Sequence, residues 1–127
     1  MYIFDTSFLI ALLYDDDYLH ENAIAQLKKI DLNTNTFFVS EIVYFETITV
    51  LTYKLWPDAI KKVDIFMNLI QIRYIATSRN DYIQLFKTVK KKMSLEDIAT
   101  IYDALVWWLE LLTFDEQQRS LYESLQG

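Results

Sequence analysis

The sequence predicts an α/β fold, a central parallel sheet of about four to five strands flanked by helices on both faces. Short apolar runs alternate with longer segments at helical spacing. The breaks between them are clusters of Asp, Asn, Ser and Thr. Strands separated by helices pair in parallel through right-handed crossovers, which cover the sheet on both sides and bring the strand ends of one direction to a common rim. Two of the apolar runs end in an aspartate, Asp5 and Asp115, so both acids belong on that rim.

The first strand runs Tyr2-Ile3-Phe4 into Asp5, and a helix begins near Ser7 in Thr6-Ser7-Phe8-Leu9-Ile10-Ala11-Leu12-Leu13. Asp15-Asp16-Asp17 separates it from a second helix over residues 18–30, carrying Leu19, Ala23, Ile24, Leu27 and Ile30. Phe37-Phe38-Val39 is the second strand, and Ser40 is a cap for a helix from about 41 to 55. Pro57 suits the first turn of the next helix, with Ile60, Val63, Ile65, Phe66, Leu69 and Ile70. Ile72 to Ala76 is the third strand, followed by a helix over residues 80–92. Ser94 opens a helix to about 109, Leu111 to Phe114 is the fourth strand, and a last helix carries Leu121 and Leu125 on one side. With one glycine, Gly127, and one proline, Pro57, the turns must be made by other residues.

The 127 residues suit one domain, residues 1–127, with no repeat or linker inside it. Apolar residues are 53% and aromatics 16%, which excludes a disordered chain. No cysteine is present, so thiolate metal sites and disulfides are excluded. The first apolar run is short and follows no Lys or Arg, fitting neither a secretory signal nor a membrane span, and the reading is a soluble, cytoplasmic protein. A net charge of −6 argues against long-range attraction of nucleic acid. The lysine runs at 28–29, 61–62 and 90–92 read most simply as solvated helix faces. His20, the sole histidine, reads as a surface residue away from the acids.

Asp5 has two readings, a helix cap or a carboxylate placed at a strand end to hold a hard cation such as Mg²⁺ or Mn²⁺. Glu46 shares a helical stripe with Ile42, Val43, Thr49 and Val50, where a lone carboxylate calls for a metal or a paired cation, unless it lies at the stripe's edge and reaches water. Glu41 suits the helix dipole. Asp97 has capping-box spacing from Ser94, and Asp115 is placed to cap the last helix. Asp103 competes with Asp97 for the same role and ranks second. Six residues turn a helix through about 600°, so only one of the two readily faces a given site.

These residues resemble the PIN-domain ribonucleases, and among them the small VapC-like toxins. Phe4-Asp5-Thr6-Ser7-Phe8-Leu9-Ile10 is similar to the family's opening strand and first acid. Val39-Ser40-Glu41-Ile42-Val43-Tyr44-Phe45-Glu46 resembles the segment where Ser or Thr precedes the family's glutamate by six residues, which selects Glu46 over Glu41. Ser94-Leu95-Glu96-Asp97 and Thr113-Phe114-Asp115 resemble its Ser-x-x-Asp and Thr-x-Asp motifs. The chain departs from the pattern where Trp107-Trp108-Leu109-Glu110 replaces a stretch that often holds glycine. The resemblance implies a PIN-like fold and an Mg²⁺- or Mn²⁺-dependent endoribonuclease acting on RNA. It further implies a type II toxin held by a small antitoxin protein, often as a homodimer.

A phosphodiester repels nucleophiles, so its hydrolysis needs positive charge at the phosphate and an activated water, both of which a carboxylate-held cation supplies. Asp5 and Asp97 are the expected direct ligands, Asp115 a ligand directly or through water, and Glu46 a ligand or the orienter of water. Thr6, Ser7 and Thr113 are expected to donate hydrogen bonds to these acids. Trp56, Trp107 and Trp108 could line an interface, although core packing is the commoner fate of aromatics in such apolar helices. Alternatives are a PIN nuclease of RNA processing or turnover, a degenerate domain that binds RNA or protein, and a phosphate-receiving α/β domain.

Overall fold

In the computed structural model, which describes residues 1–127, four strands form one parallel sheet in the order β3-β2-β1-β4. They are β1 (Tyr2–Phe4), β2 (Phe37–Ser40), β3 (Arg73–Ile75) and β4 (Glu110–Leu112). Helices α1 (Thr6–Leu13) and α2 (His20–Lys28) link β1 to β2, and α3 (Glu41–Leu55) and α4 (Ala59–Leu69) link β2 to β3. The chain then returns through α5 (Arg79–Thr88) and α6 (Leu95–Val106) to β4 on the far side of β1, and ends in α7 (Glu116–Gln126). No helix is long and apolar enough to cross a membrane.

Successive strand residues point to opposite faces, and the core divides accordingly. Phe4, Phe37, Val39 and Leu112 pack with α1, α2, α3 and α4 on one face, while Ile3 and Leu111 pack with α6 and α7 on the other. The return to β4 puts the topological switch point between β1 and β4, whose carboxyl ends form the crevice where α/β sheets bind ligands.

Several expected boundaries move, each for a local reason. The helix expected over residues 18–30 is shorter, His20–Lys28. Pro57 lies in the turn ahead of α4 and not in its first turn, since the helix starts at Ala59. The helix expected to reach residue 92 stops at Thr88, because Lys90, Lys91 and Lys92 offer no apolar side chain to the core while Val89 and Met93 pack into it. These three lysines are exposed on an irregular segment leading into α6, and are not a helix face. The helix expected to reach residue 109 ends at Val106: Trp108 turns left-handed at φ 55° and Leu109 N–H donates to Ala104 O at 2.9 Å, a Schellman-type cap. Gln71 does the same after α4, at φ 53° with Ile72 N–H on Met67 O at 3.0 Å. In a chain without internal glycine, Gln and Trp take the two left-handed positions.

Consequently β4 covers Glu110–Leu112, and Thr113 and Phe114 have left the ladder before Asp115. Ser40 does not cap α3 through its side chain, because its hydroxyl is used elsewhere. The tryptophans are not core residues: Trp56, Trp107 and Trp108 are 78%, 56% and 88% exposed. His20 is not a free surface residue either, for its Nδ1 lies 2.7 Å from Ala11 O in the α1–α2 contact.

Candidate functional site

Asp5 is fixed by the sheet itself. Phe4 pairs with Leu112, and Asp5 N–H continues the ladder to Leu112 O at 3.0 Å, so its side chain emerges at the switch point opposite Thr113. There it is buried and saturated with donors. Oδ2 accepts from Ser7 N–H at 3.2 Å, Ser7 Oγ at 2.9 Å and Thr113 Oγ1 at 3.1 Å, and Oδ1 accepts from Gln118 Nε2 at 3.1 Å. Asp5 therefore caps α1 and stands at the rim at once, so the two readings of it are not alternatives.

Asp97 and Asp115 arrive on helix amino ends. Ser94 Oγ accepts from Asp97 N–H at 3.1 Å and fixes the first turn of α6, while Asp115 caps α7 by accepting from Gln118 N–H at 3.0 Å. Thus α1, α6 and α7 direct their amino termini at one hollow, and their dipoles offset part of the mutual repulsion of the carboxylates. Glu46 is half-buried on the flank of α3, where Thr6 Oγ1 donates to its Oε1.

The electrostatics show that these four acids share one environment. Burial foremost, then the Asp5 charge, raise the Asp97 carboxyl to about 7, with Asp115 and Glu46 adding to the push against the Ser94 hydrogen bond. Glu46 is also raised, chiefly by burial and further by the charges of Glu96 and Asp5, against the Thr6 hydrogen bond. No lysine or arginine neutralises the group. Both ion pairs of the molecule are on Asp15, with His20 at 3.8 Å and Lys62 at 3.4 Å. Arg119 spends its guanidinium on the carbonyls of Leu111 and Thr113, at 3.4 and 3.1 Å.

Asp103 faces elsewhere. Its Oδ2 accepts from Ser40 Oγ at 2.6 Å and Tyr82 Oη at 2.5 Å in a buried knot joining β2, α5 and α6, and burial raises its carboxyl to about 6 despite those donors. Of the two candidates on α6, Asp97 is the one among the acids.

Two residues of the hollow were not anticipated. Gln118 is fully buried, with Nε2 donating to Asp5 Oδ1 and to Asp97 O, both at 3.1 Å, and Oε1 without a partner. Its signal was the capping-box spacing Asp115-x-x-Gln118. Glu96 adds a further charge against Glu46. Its position in a helix first turn has an ordinary explanation in the dipole, which conceals it.

The donor set is oxygen only, which suits a hard cation. As placed, no three carboxylates meet closely enough to share one ion. A Mg²⁺-type ion keeps several waters and is commonly bound through one or two carboxylates, and Asp5 is the acid whose charge acts most strongly on Asp97.

Comparison with curated proteins returns no match. Among solved structures, VapC20 of Mycobacterium tuberculosis, described as a sarcin-ricin loop cleaving toxin, is similar with a TM-score of 0.80 over 95% of each chain at 17% identity. That likeness establishes a shared fold. The model of the PIN domain family matches residues 2–124, nearly the whole sequence, and the chain belongs to that family.

Proposed function

We propose that this chain is an Mg²⁺- or Mn²⁺-dependent endoribonuclease, acting as one domain over residues 1–127. We further read it as a cytoplasmic VapC-like toxin of a type II toxin–antitoxin pair. The observation that carries the nuclease reading is the meeting of Asp5 and Asp97, joined by Gln118 Nε2 on Asp5 Oδ1 and on Asp97 O, with Asp115 and Glu46 near enough for their charges to act on Asp97 and no basic side chain paired with the cluster. Such a group is relieved by a divalent cation. The bound ion supplies positive charge to the scissile phosphate and acidity to water.

In this reading Asp5 and Asp97 would hold the ion, with Asp115 supporting it from the α7 cap. Glu46, held by Thr6 and made more basic chiefly by burial, would orient the attacking water and accept its proton. Ser7 and Thr113 keep Asp5 in one orientation through the bonds described above. Lys90, Lys91 and Lys92, exposed on the segment entering α6, meet the RNA backbone and answer the overall charge of −6. The exposed faces around Trp56, Trp107 and Trp108 are where a homodimer or a small antitoxin would close.

The test is digestion of a structured RNA pool with Mn²⁺ or with excess chelator, comparing native protein with Asp5→Asn. Cleavage confined to native protein with metal is expected. Full activity of Asp5→Asn, or undiminished cleavage in chelator, would overturn the nuclease reading. Growth arrest on expression, relieved by a co-expressed small partner, tests the toxin assignment separately.

A further inference from the structure

Beside the acids lies a second hollow, of about 390 Å³, that the catalytic reading does not use. It is lined by Ser7, Ile10, Asp17, Tyr18, Leu19, Phe114 and Asp115, so it shares Ser7 and Asp115 with the acid cluster. Its walls are mainly apolar: Ile10 is nearly buried, and Phe114 is braced by stacking on Phe8 with ring centroids 5.1 Å apart. Over it stands Tyr18, 90% exposed, on the turn between α1 and α2.

An aromatic ring left to solvent at the edge of an apolar hollow is a stacking surface, since every nucleobase has a π-face. The charges decide which part of an RNA enters. Asp17 and Asp115 would repel a phosphate, whereas a neutral base meets no such barrier. Asp17 is also poised to read the base. Its Oδ1 accepts from Leu19 N–H at 2.9 Å, which fixes the carboxylate, and its Oδ2 makes no hydrogen bond within the chain. A carboxylate accepts only, so it favours a base edge rich in N–H donors. Guanine, with N1–H beside an amino group, fits best. Uracil, with a single N–H between two carbonyls, fits worst.

We infer that this hollow is a nucleobase subsite, in which a base flanking the cleaved phosphate stacks on Tyr18 and donates to Asp17, guanine being preferred over uracil. The inference rests on the nuclease reading above and adds to it a source of sequence preference.

The probes are a single-stranded all-uridine RNA and the same RNA with one guanosine. Binding is measured in chelator by fluorescence anisotropy, and cleavage in Mn²⁺ by initial rates. The guanosine RNA is expected to bind more tightly and to be cut next to the guanosine. Tyr18→Ala should raise KM and the dissociation constant by about fivefold to 150-fold, the range that one lost base–aromatic stack brings, with kcat within about twofold. Tyr18→Phe should behave as the native protein. Asp17→Asn retains an oxygen for Leu19 N–H, and should remove the preference for guanosine without changing Mn²⁺ affinity. If Tyr18→Ala leaves binding within about twofold, or the guanosine confers no advantage, the inference is wrong. Native protein that binds these RNAs with the stated preference in chelator, yet cuts none with metal, would overturn the nuclease reading and leave the subsite standing.

Discussion

Asp97→Asn is expected to make the metal-free protein more stable at alkaline pH, although it alters a central residue of the site. Burial and then the Asp5 charge raise the Asp97 carboxyl from 3.8 to about 7, so the folded chain binds a proton there more tightly than the unfolded chain. Between those two values the folded state carries more protons, and stability therefore falls as pH rises from about 4 through 7 and levels off above. From pH 6 to pH 8 the folded carboxyl goes from about nine-tenths to about one-tenth protonated, a loss of about 1.4 kcal/mol for one fully shifted group. Asp97 is partly exposed, and screening by solvent reduces the expected loss to about 0.7 kcal/mol. Asp103, raised to about 6, has the same sign, but it is present in both proteins and cancels in their difference. The assay is urea unfolding in chelator at pH 6, 7 and 8. Native protein should lose about 0.7 kcal/mol more than Asp97→Asn across that range. A native curve that falls no further than the variant's would refute the raised Asp97 carboxyl.

Gln118→Met keeps the volume of a buried side chain but removes the donor to Asp5 and to the Asp97 carbonyl. Mn²⁺ titration should show affinity weakened about 10- to 100-fold, the usual cost of losing a residue that orients a metal ligand. Trp108→Gly should stabilise the protein by about 1 kcal/mol, because glycine takes a left-handed φ freely where tryptophan does not; a lower thermal midpoint would contradict this. Asp103→Ala strands the buried Ser40 and Tyr82 hydroxyls. It should cost about 2–4 kcal/mol in urea unfolding, read from the midpoint at constant slope.

The alternation of strand and helix was legible because both faces of this sheet are covered, so its strands read as short apolar runs between helical patterns. Asp5 was legible for the same reason: a carboxylate directly after buried Ile3 and Phe4 has nowhere to lie except the strand's end. Helical angle showed that Asp97 and Asp103 face different surroundings, as they do, while the ranking of Asp97 first came with the Ser-x-x-Asp resemblance at Ser94. Helix ends were less legible. Nothing in the sequence marks Trp108 or Gln71 as left-handed, since the usual marker is glycine and the chain has none inside it. Ser40 looks like a helix cap because its alternative partner, Asp103, is 63 residues away in sequence. Gln118 was hidden by its neutrality, for reasoning from charge finds carboxylates and passes over the amide that holds one of them.

The central claim is most directly tested by following one end-labelled RNA through a Mn²⁺ titration and analysing the ends produced. Attack by water at a carboxylate-held ion leaves linear phosphate ends, whereas attack by the ribose 2′-hydroxyl leaves a cyclic phosphate. Cleavage that rises and saturates with Mn²⁺, yields linear ends and vanishes in Asp5→Asn is the expected result. Cyclic ends, or equal cleavage by Asp5→Asn or in chelator, would contradict it.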